Sequence, residues 1–209
     1  LTKEIQARER ILNAAKKLFS KKGYEKVTVR EIAKEANCSH TSIYVYFKDK
    51  RNLLEELAKR PLDTLLKEMN SILTNDAFSP KQKLIRISQT FVHFGLCHRN
   101  LYQAFINYDA SRVDIMATKW ELNEKRLQLF ESLKAAVAKN FPEWDKSQLL
   151  EFSRMLYYML HGIIMTYKDV EERVIEIERR VFPIVKKSVN YLVKGVKTSE
   201  SSQGVSSYL

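Results

Sequence analysis

The 209 residues carry 36 Lys and Arg against 25 Asp and Glu, a net charge of +11, with only 5 Gly and 4 Pro. No run of about 20 apolar residues exists, which excludes a membrane-spanning helix, and the N-terminal LTKEIQARER is charged rather than apolar, unlike a signal peptide. Cys38 and Cys97 are too few for a disulfide framework, so two reduced thiols in a cytoplasmic protein are expected. Scarce helix breakers and abundant Leu, Lys, Glu and Ala predict an all-α fold of about nine helices.

The first helix is predicted over Lys3–Lys22, where Ile5, Ile11, Leu12, Ala15, Leu18 and Phe19 recur at helical spacing and Gly23 ends the run. Thr28 followed by Glu31 is a capping box, opening a short helix whose apolar face is Val29, Ile32, Ala33 and Ala36. Asn37-Cys38-Ser39 is a turn: Asn tolerates the left-handed conformation that stops a helix, and Ser39 can cap the next one. From His40 a third helix offers Ile43 and Phe47 to the core and leaves its other faces outward. Asp49 is a good N-cap for a fourth helix running to about Leu73, with Pro61 expected to kink or break it.

Beyond a loop at 74–80, helices are predicted over Lys81–Cys97, Asn100–Tyr108 and Val113–Lys139. Two amphipathic helices close the chain, about Lys146–Lys168 and Glu171–Lys194, the last containing Pro183. Residues 198–209, rich in Ser and Gln, read as a disordered tail. The resulting division is a helix-turn-helix domain over 1–50, a helical domain over 51–197, and the tail.

The charge is uneven. Residues 1–53 hold 13 Lys and Arg against 6 Asp and Glu, a balance of +7, leaving +4 for the other 156. Basic charge around a helix-turn-helix is what a phosphate-binding surface needs. In such a unit the first helix braces and the start of the second reaches base edges in the major groove. Ser39, His40, Thr41 and Ser42 are therefore placed at the groove, Tyr44 at base or phosphate, and Thr28 and Arg30 at the start of the second helix as further contacts. No Arg lies on the third helix, so a bidentate Arg fork to guanine is not expected from it.

Ile11 to Phe19, Gly23-Tyr24, Val27-Thr28-Val29, and Ser39 to Lys50 followed by Leu53 together resemble the DNA-binding domain of TetR-family bacterial transcription regulators. The resemblance covers about the first 53 residues; Asn37 stands where Gly is more usual. It implies that Tyr46 and Lys50 contact phosphates, with Lys48 in the same stretch. It also implies a palindromic double-stranded operator, a homodimer paired through the last two helices, and a small-molecule effector between the middle helices.

For the effector, the aromatic set Phe91, Phe94, Tyr102, Phe105, Tyr108, Trp120, Tyr157 and Tyr158, with His161 as a polar tip, suits an apolar or amphipathic ligand; ordinary core packing explains the same residues. For the dimer, Phe152, Met155, Met159, Ile163, Val181, Ile184 and Val185 are the candidates. His93 and Cys97 share a helix face, but no further ligand completes a metal site. No cofactor, metal or catalytic residue is expected, because no phosphate-cradling Gly loop, H-E-x-x-H or nucleophile–base motif occurs. The expected function is a repressor released from its operator by the effector; the alternative is an architectural or protein-docking DNA binder without one.

Overall fold

The computed structural model describes residues 2–107 and 121–205. The regular elements among the described residues are all helices: α1 (Thr2–Lys22), α2 (Val29–Glu35), α3 (His40–Phe47), α4 (Lys50–Thr74), α5 (Pro80–Cys97), α6 (Arg99–Asn107), α7 (Glu121–Ala138), α8 (Lys146–Thr166) and α9 (Val174–Val205). The all-α expectation holds. None of these helices is long and apolar enough to cross a membrane.

The chain forms two compact units, 1–64 with 98–127 and 65–97 with 128–209. The boundary falls inside α4, so the division differs from the one placed after residue 50. In the first unit, Ile11, Ala15, Ile32, Ile43, Leu53, Leu54, Ala58 and Leu62 are each at most 1% exposed, and one core thus joins α1 to the first part of α4. Phe19 packs edge-on against Tyr24 at 5.2 Å. Pro61 does not end α4. Ala58 and Leu62 on either side are fully buried, and burial of that stripe outweighs the one backbone bond a proline removes.

In the second unit α5 packs on α8 and α9. Ile177, Val181, Val185, Val189 and Val193 form a buried stripe at every fourth residue of α9. Asp145 caps α8, accepting from the backbone N–H of Ser147 and Gln148 at 2.7 and 2.9 Å. α9 continues through Val205, past Thr198 where disorder was expected, and Pro183 lies within it. The residues Thr198 to Val205 contain no proline, and their one glycine, Gly204, stands near the end, so a polar composition did not stop the helix. The helix predicted from Val113 is described only from Glu121.

Candidate nucleic-acid interface

α2 and α3 are fixed by hydrogen bonds legible in their sequence. Glu31 N–H donates to Thr28 Oγ1 at 3.2 Å and Thr28 N–H donates to Glu31 Oε2 at 2.8 Å, completing the capping box. Asn37 sits at φ 50°. Cys38 N–H donates to the Ala33 carbonyl at 3.0 Å and Asn37 N–H to that of Lys34 at 3.2 Å. This pair of bonds is the Schellman arrangement, and Asn supplies the left-handed residue it requires. Ser39 then caps α3, its Oγ accepting from Ser42 N–H at 3.0 Å.

Lys22 holds Glu31 at 2.6 Å, and that contact, followed by the bonds from Thr28, keeps the Glu31 carboxyl at about 2, well below its ordinary 4.5. A depressed carboxylate contributes stability above its ordinary value and loses it as pH falls toward 2. Acid unfolding followed by circular dichroism should therefore be shallower between pH 4.5 and 2 for Glu31→Gln than for the parent chain. Thr28→Ala, which removes the cap itself, should cost about 1 kcal/mol at neutral pH.

The inward face of α3 is Ile43, fully buried, and Phe47, over which the Arg8 guanidinium lies at 5.1 Å. The outward face is His40, Thr41, Tyr44, Val45 and Lys48, all exposed. These positions repeat at i, i+1, i+4, i+5 and i+8, one continuous strip. His40 packs edge-on against Tyr44 at 4.9 Å. Ser42 and Tyr46 are half-buried at its margins, and Thr28, Arg30 and Ser39 are exposed on the adjoining elements. Nine of the ten proposed DNA contacts thus reach the surface of one unit with no ion pair or buried anchor drawing them inward.

Lys50 differs. Its ammonium donates to the carbonyls of Tyr24 and Val27, each at 3.0 Å, and lies 4.2 Å over the Tyr24 ring. It braces the connection between α1 and α2 with two of its three N–H donors, and the third remains for the phosphate contact expected of it. Val45, in contrast, is exposed on the strip although it is not among the expected contacts. It stands two residues past the buried Ile43, about 200° round the helix, and that periodicity alone marks it as outward.

Lys48 ends α3 at φ 58°, ψ −50°, and Asp49 N–H donates to the Phe47 carbonyl at 2.5 Å. This is the strained, positive-φ form of the three-residue γ-turn. A side chain in such a conformation costs about 1–3 kcal/mol. Lys48→Gly should raise the thermal midpoint while weakening DNA binding and reducing its salt slope by about 1 per recognition helix.

The effector candidates fall differently. Phe91 and Tyr157 are buried 5.9 Å apart, Phe130 joins Tyr157 at 6.2 Å, and His161 stacks on Tyr157 at 6.0 Å. Phe94 is buried in the same unit, and Tyr102 is buried in the other. Burial lowers the His161 imidazole below its usual range, so the ring is predominantly uncharged at neutral pH. Tyr158 is 61% exposed and belongs with Met155 on the open side of α8 rather than in an enclosed lining. The side chain of Phe105, and Tyr108 and Trp120, lie outside the described residues. Near the end of α3, Arg8, Lys48, Glu55, Glu56 and Lys59 line an open polar cleft of about 250 Å³, whose mixed charges do not suit an apolar ligand.

Among the dimer candidates, Phe152, Val181 and Val185 are buried within their own unit, Phe152 against Phe141 at 5.4 Å. They are core, because each lies on the stripe that faces neighbouring helices. Met155 and Ile184 are exposed at 48% and 54%, and Met159 and Ile163 are half-buried. His93 donates from Nδ1 to the buried Glu178, and Cys97 Sγ lies 3.5 Å from its Nε2. Among the described residues no group of three His, Cys, Asp or Glu is arranged to hold a metal ion.

Residues 11–57 match the family model described as bacterial regulatory proteins, tetR family. The HTH-type transcriptional regulator HbdR of Aromatoleum sp. (strain CIB) is 44% identical over 64 residues, 31% of this chain and 28% of that protein. The fatty acid metabolism regulator protein of Bacillus subtilis (strain 168) is 26% identical over 114 residues, 54% of this chain and 57% of that one. Over the whole fold the chain is similar to the crystal structure of the transcriptional regulator FadR from Bacillus subtilis in complex with stearoyl-CoA. The TM-score is 0.63 at 18% identity, covering 90% of this chain and 98% of that one. The N-terminal region thus matches the DNA-binding part of tetR-family bacterial regulatory proteins, and the whole chain shares the fold of transcriptional regulators of known structure. The matched regions span about a quarter to a little over half of these two curated relatives' own length.

Proposed function

We propose that the protein is a DNA-binding transcriptional repressor that sits on a palindromic operator as a homodimer in the cytoplasm and leaves it when a small apolar or amphipathic effector binds. The outward strip of α3 carries this reading: five exposed side chains on one helix face, backed by a fully buried Ile43 and set in a basic domain. A two-fold dimer presents two such helices one helical turn of DNA apart, or a multiple of it.

The buried Phe91, Phe94, Phe130 and Tyr157, with uncharged His161 beside them, support an effector with a long apolar part. The likeness to a regulator crystallised with stearoyl-CoA favours an acyl thioester as the first class to test. An effector that reverses occupancy from 99:1 to 1:99 must prefer the released state by about 5.5 kcal/mol.

Fluorescence anisotropy with a selected operator tests both halves. Affinity should fall about 10³–10⁵-fold between 50 and 200 mM salt if six to ten phosphates are contacted. Acyl thioesters of graded chain length should release the DNA and raise the thermal midpoint together. A sequence-blind isotherm would remove the repressor reading. Specific binding that no acyl thioester affects would remove this effector class and return the aromatic cluster to core.

A further inference from the structure

We propose that α3 reads its operator chiefly through thymine 5-methyl groups, with Val45 as the residue that selects them. This rests on the reading of α3 as the recognition helix.

Val45 is 74% exposed, more than any other large hydrophobic residue described. A single exposed valine is ordinary on a protein surface. Its position is not ordinary: it lies across the helix from fully buried Ile43, in the strip that also holds Thr41, Tyr44 and Lys48.

What surrounds Val45 limits what the helix can read. From His40 to Phe47 there is no Arg, Lys, Asn, Gln, Asp or Glu, so every side chain that makes a bidentate or acidic base contact is absent from the helix. The Ser42 hydroxyl lies 2.7 Å from that of Ser39, and the His40 ring packs against Tyr44. Thr41 and Val45 remain, one turn apart, and each offers a methyl group on a β-branched side chain. Such side chains have few rotamers in a helix, so their methyls are held in place before DNA arrives. On the major-groove edges of the four bases, the one apolar group is the thymine methyl. Cytosine offers a hydrogen-bond donor and guanine two acceptors, and a valine placed against either strips water from a polar group without replacing it.

The test removes that methyl and nothing else. An operator selected from genomic DNA by the full chain is resynthesised with deoxyuridine in place of each thymine in turn, which leaves base pairing intact. One or two positions per half-site should each weaken binding about fourfold, and about fifteenfold when both half-sites are changed. With Val45→Ala, binding to the natural operator should weaken, and deoxyuridine at those positions should then change it less than twofold. Val45→Thr, which keeps one methyl, should retain part of the sensitivity; Val45 is exposed, so both variants should match the parent in circular dichroism. Site-specific binding that tolerates deoxyuridine at every position, or a sensitivity that survives in Val45→Ala, would overturn the proposal while leaving the repressor reading intact. Absence of any selected site would instead remove the reading on which it rests.

Discussion

Ile184→Glu is expected to convert a dimer of twice 24.5 kDa into a monomer of 24.5 kDa, with operator binding lost along with it. Ile184 is 54% exposed and Tyr191, seven residues on, is 71% exposed on the same side of α9. Met155 and Tyr158 are exposed at 48% and 61% on α8, and the space beyond Gly162 is open. With Met159 they recur at i, i+3, i+4 and i+7, a complete apolar strip that its own unit leaves uncovered. A two-fold interface uses the same patch on both copies, so one substitution acts twice. Ile184 is already about half covered by its own unit, so the burial a partner adds is worth about half of the ~1.5–3 kcal/mol of a fully buried isoleucine per copy. Doubled, that weakens the dimer by roughly 10–10²-fold, before any penalty for enclosing two carboxylates. The monomer should also lose the gain from engaging two half-sites, about 10²–10⁴ in affinity. Analytical ultracentrifugation reads the mass and anisotropy the affinity; Lys186→Glu, exposed about 200° round α9 from Ile184, controls for added negative charge. A variant that remains dimeric would show that this strip is not the interface.

Gly95→Ala should destabilise the chain through a direct clash in its core, where an added methyl at Gly162 or Gly195 meets open space. Gly95 is buried in α5, and a Cβ there would stand 2.5 Å from Ile164 Cδ1 and 2.7 Å from both Cγ1 and Cγ2. Both branches of the isoleucine are in the way, so rotating its tip gives no relief. Ile164 is 1% exposed, so it cannot relieve the clash by swinging out into solvent without losing its burial. Overpacking of this kind costs about 1–3 kcal/mol, more than the 0.5–1 kcal/mol that alanine gains over glycine within a helix. The partner change Ile164→Ala leaves a cavity and by itself should cost about 2–5 kcal/mol. The double variant should be more stable than the sum of the two, by a coupling of about 1 kcal/mol or more, because each change accommodates the other. Urea unfolding of the four chains measures it; simple additivity would contradict the α5–α8 packing.

The parts of this molecule that were legible in its sequence are the ones fixed by local chemistry. The capping box at Thr28 and Glu31, the left-handed Asn37 and the Ser39 cap all depend on residues within five positions of one another, and each is present in the structure. The apolar face of α3 was equally plain, since Ile43 and Phe47 are a turn apart. The same periodicity marks Val45 as outward, and an apolar side chain can also meet a base edge in the major groove.

What the sequence concealed depends on tertiary contacts. Nothing in the order of residues says that the Lys50 side chain turns back to Tyr24 and Val27 rather than out to solvent. The apolar stripes of α8 and α9 are wider than one neighbour can cover, so Phe152, Val181 and Val185 were indistinguishable from Met155 and Ile184 until their burial was known. Pro61 predicts a kink or break and the Ser- and Gln-rich composition after Thr198 predicts disorder, and in both places the helix continues. Helix propensity is a weak preference that packing and continuity override.

The central claim is that the α3 strip reads a specific DNA sequence, and selection from fragmented genomic DNA at physiological salt tests it most directly. The full chain and a variant with Thr41→Ala and Tyr44→Ala are each used to capture fragments, which are then sequenced. The parent chain should recover a few sites sharing one palindrome, and the variant should lose them while keeping its fold. Even recovery across the genome by both chains would contradict the claim, leaving a basic domain that holds phosphates without reading bases.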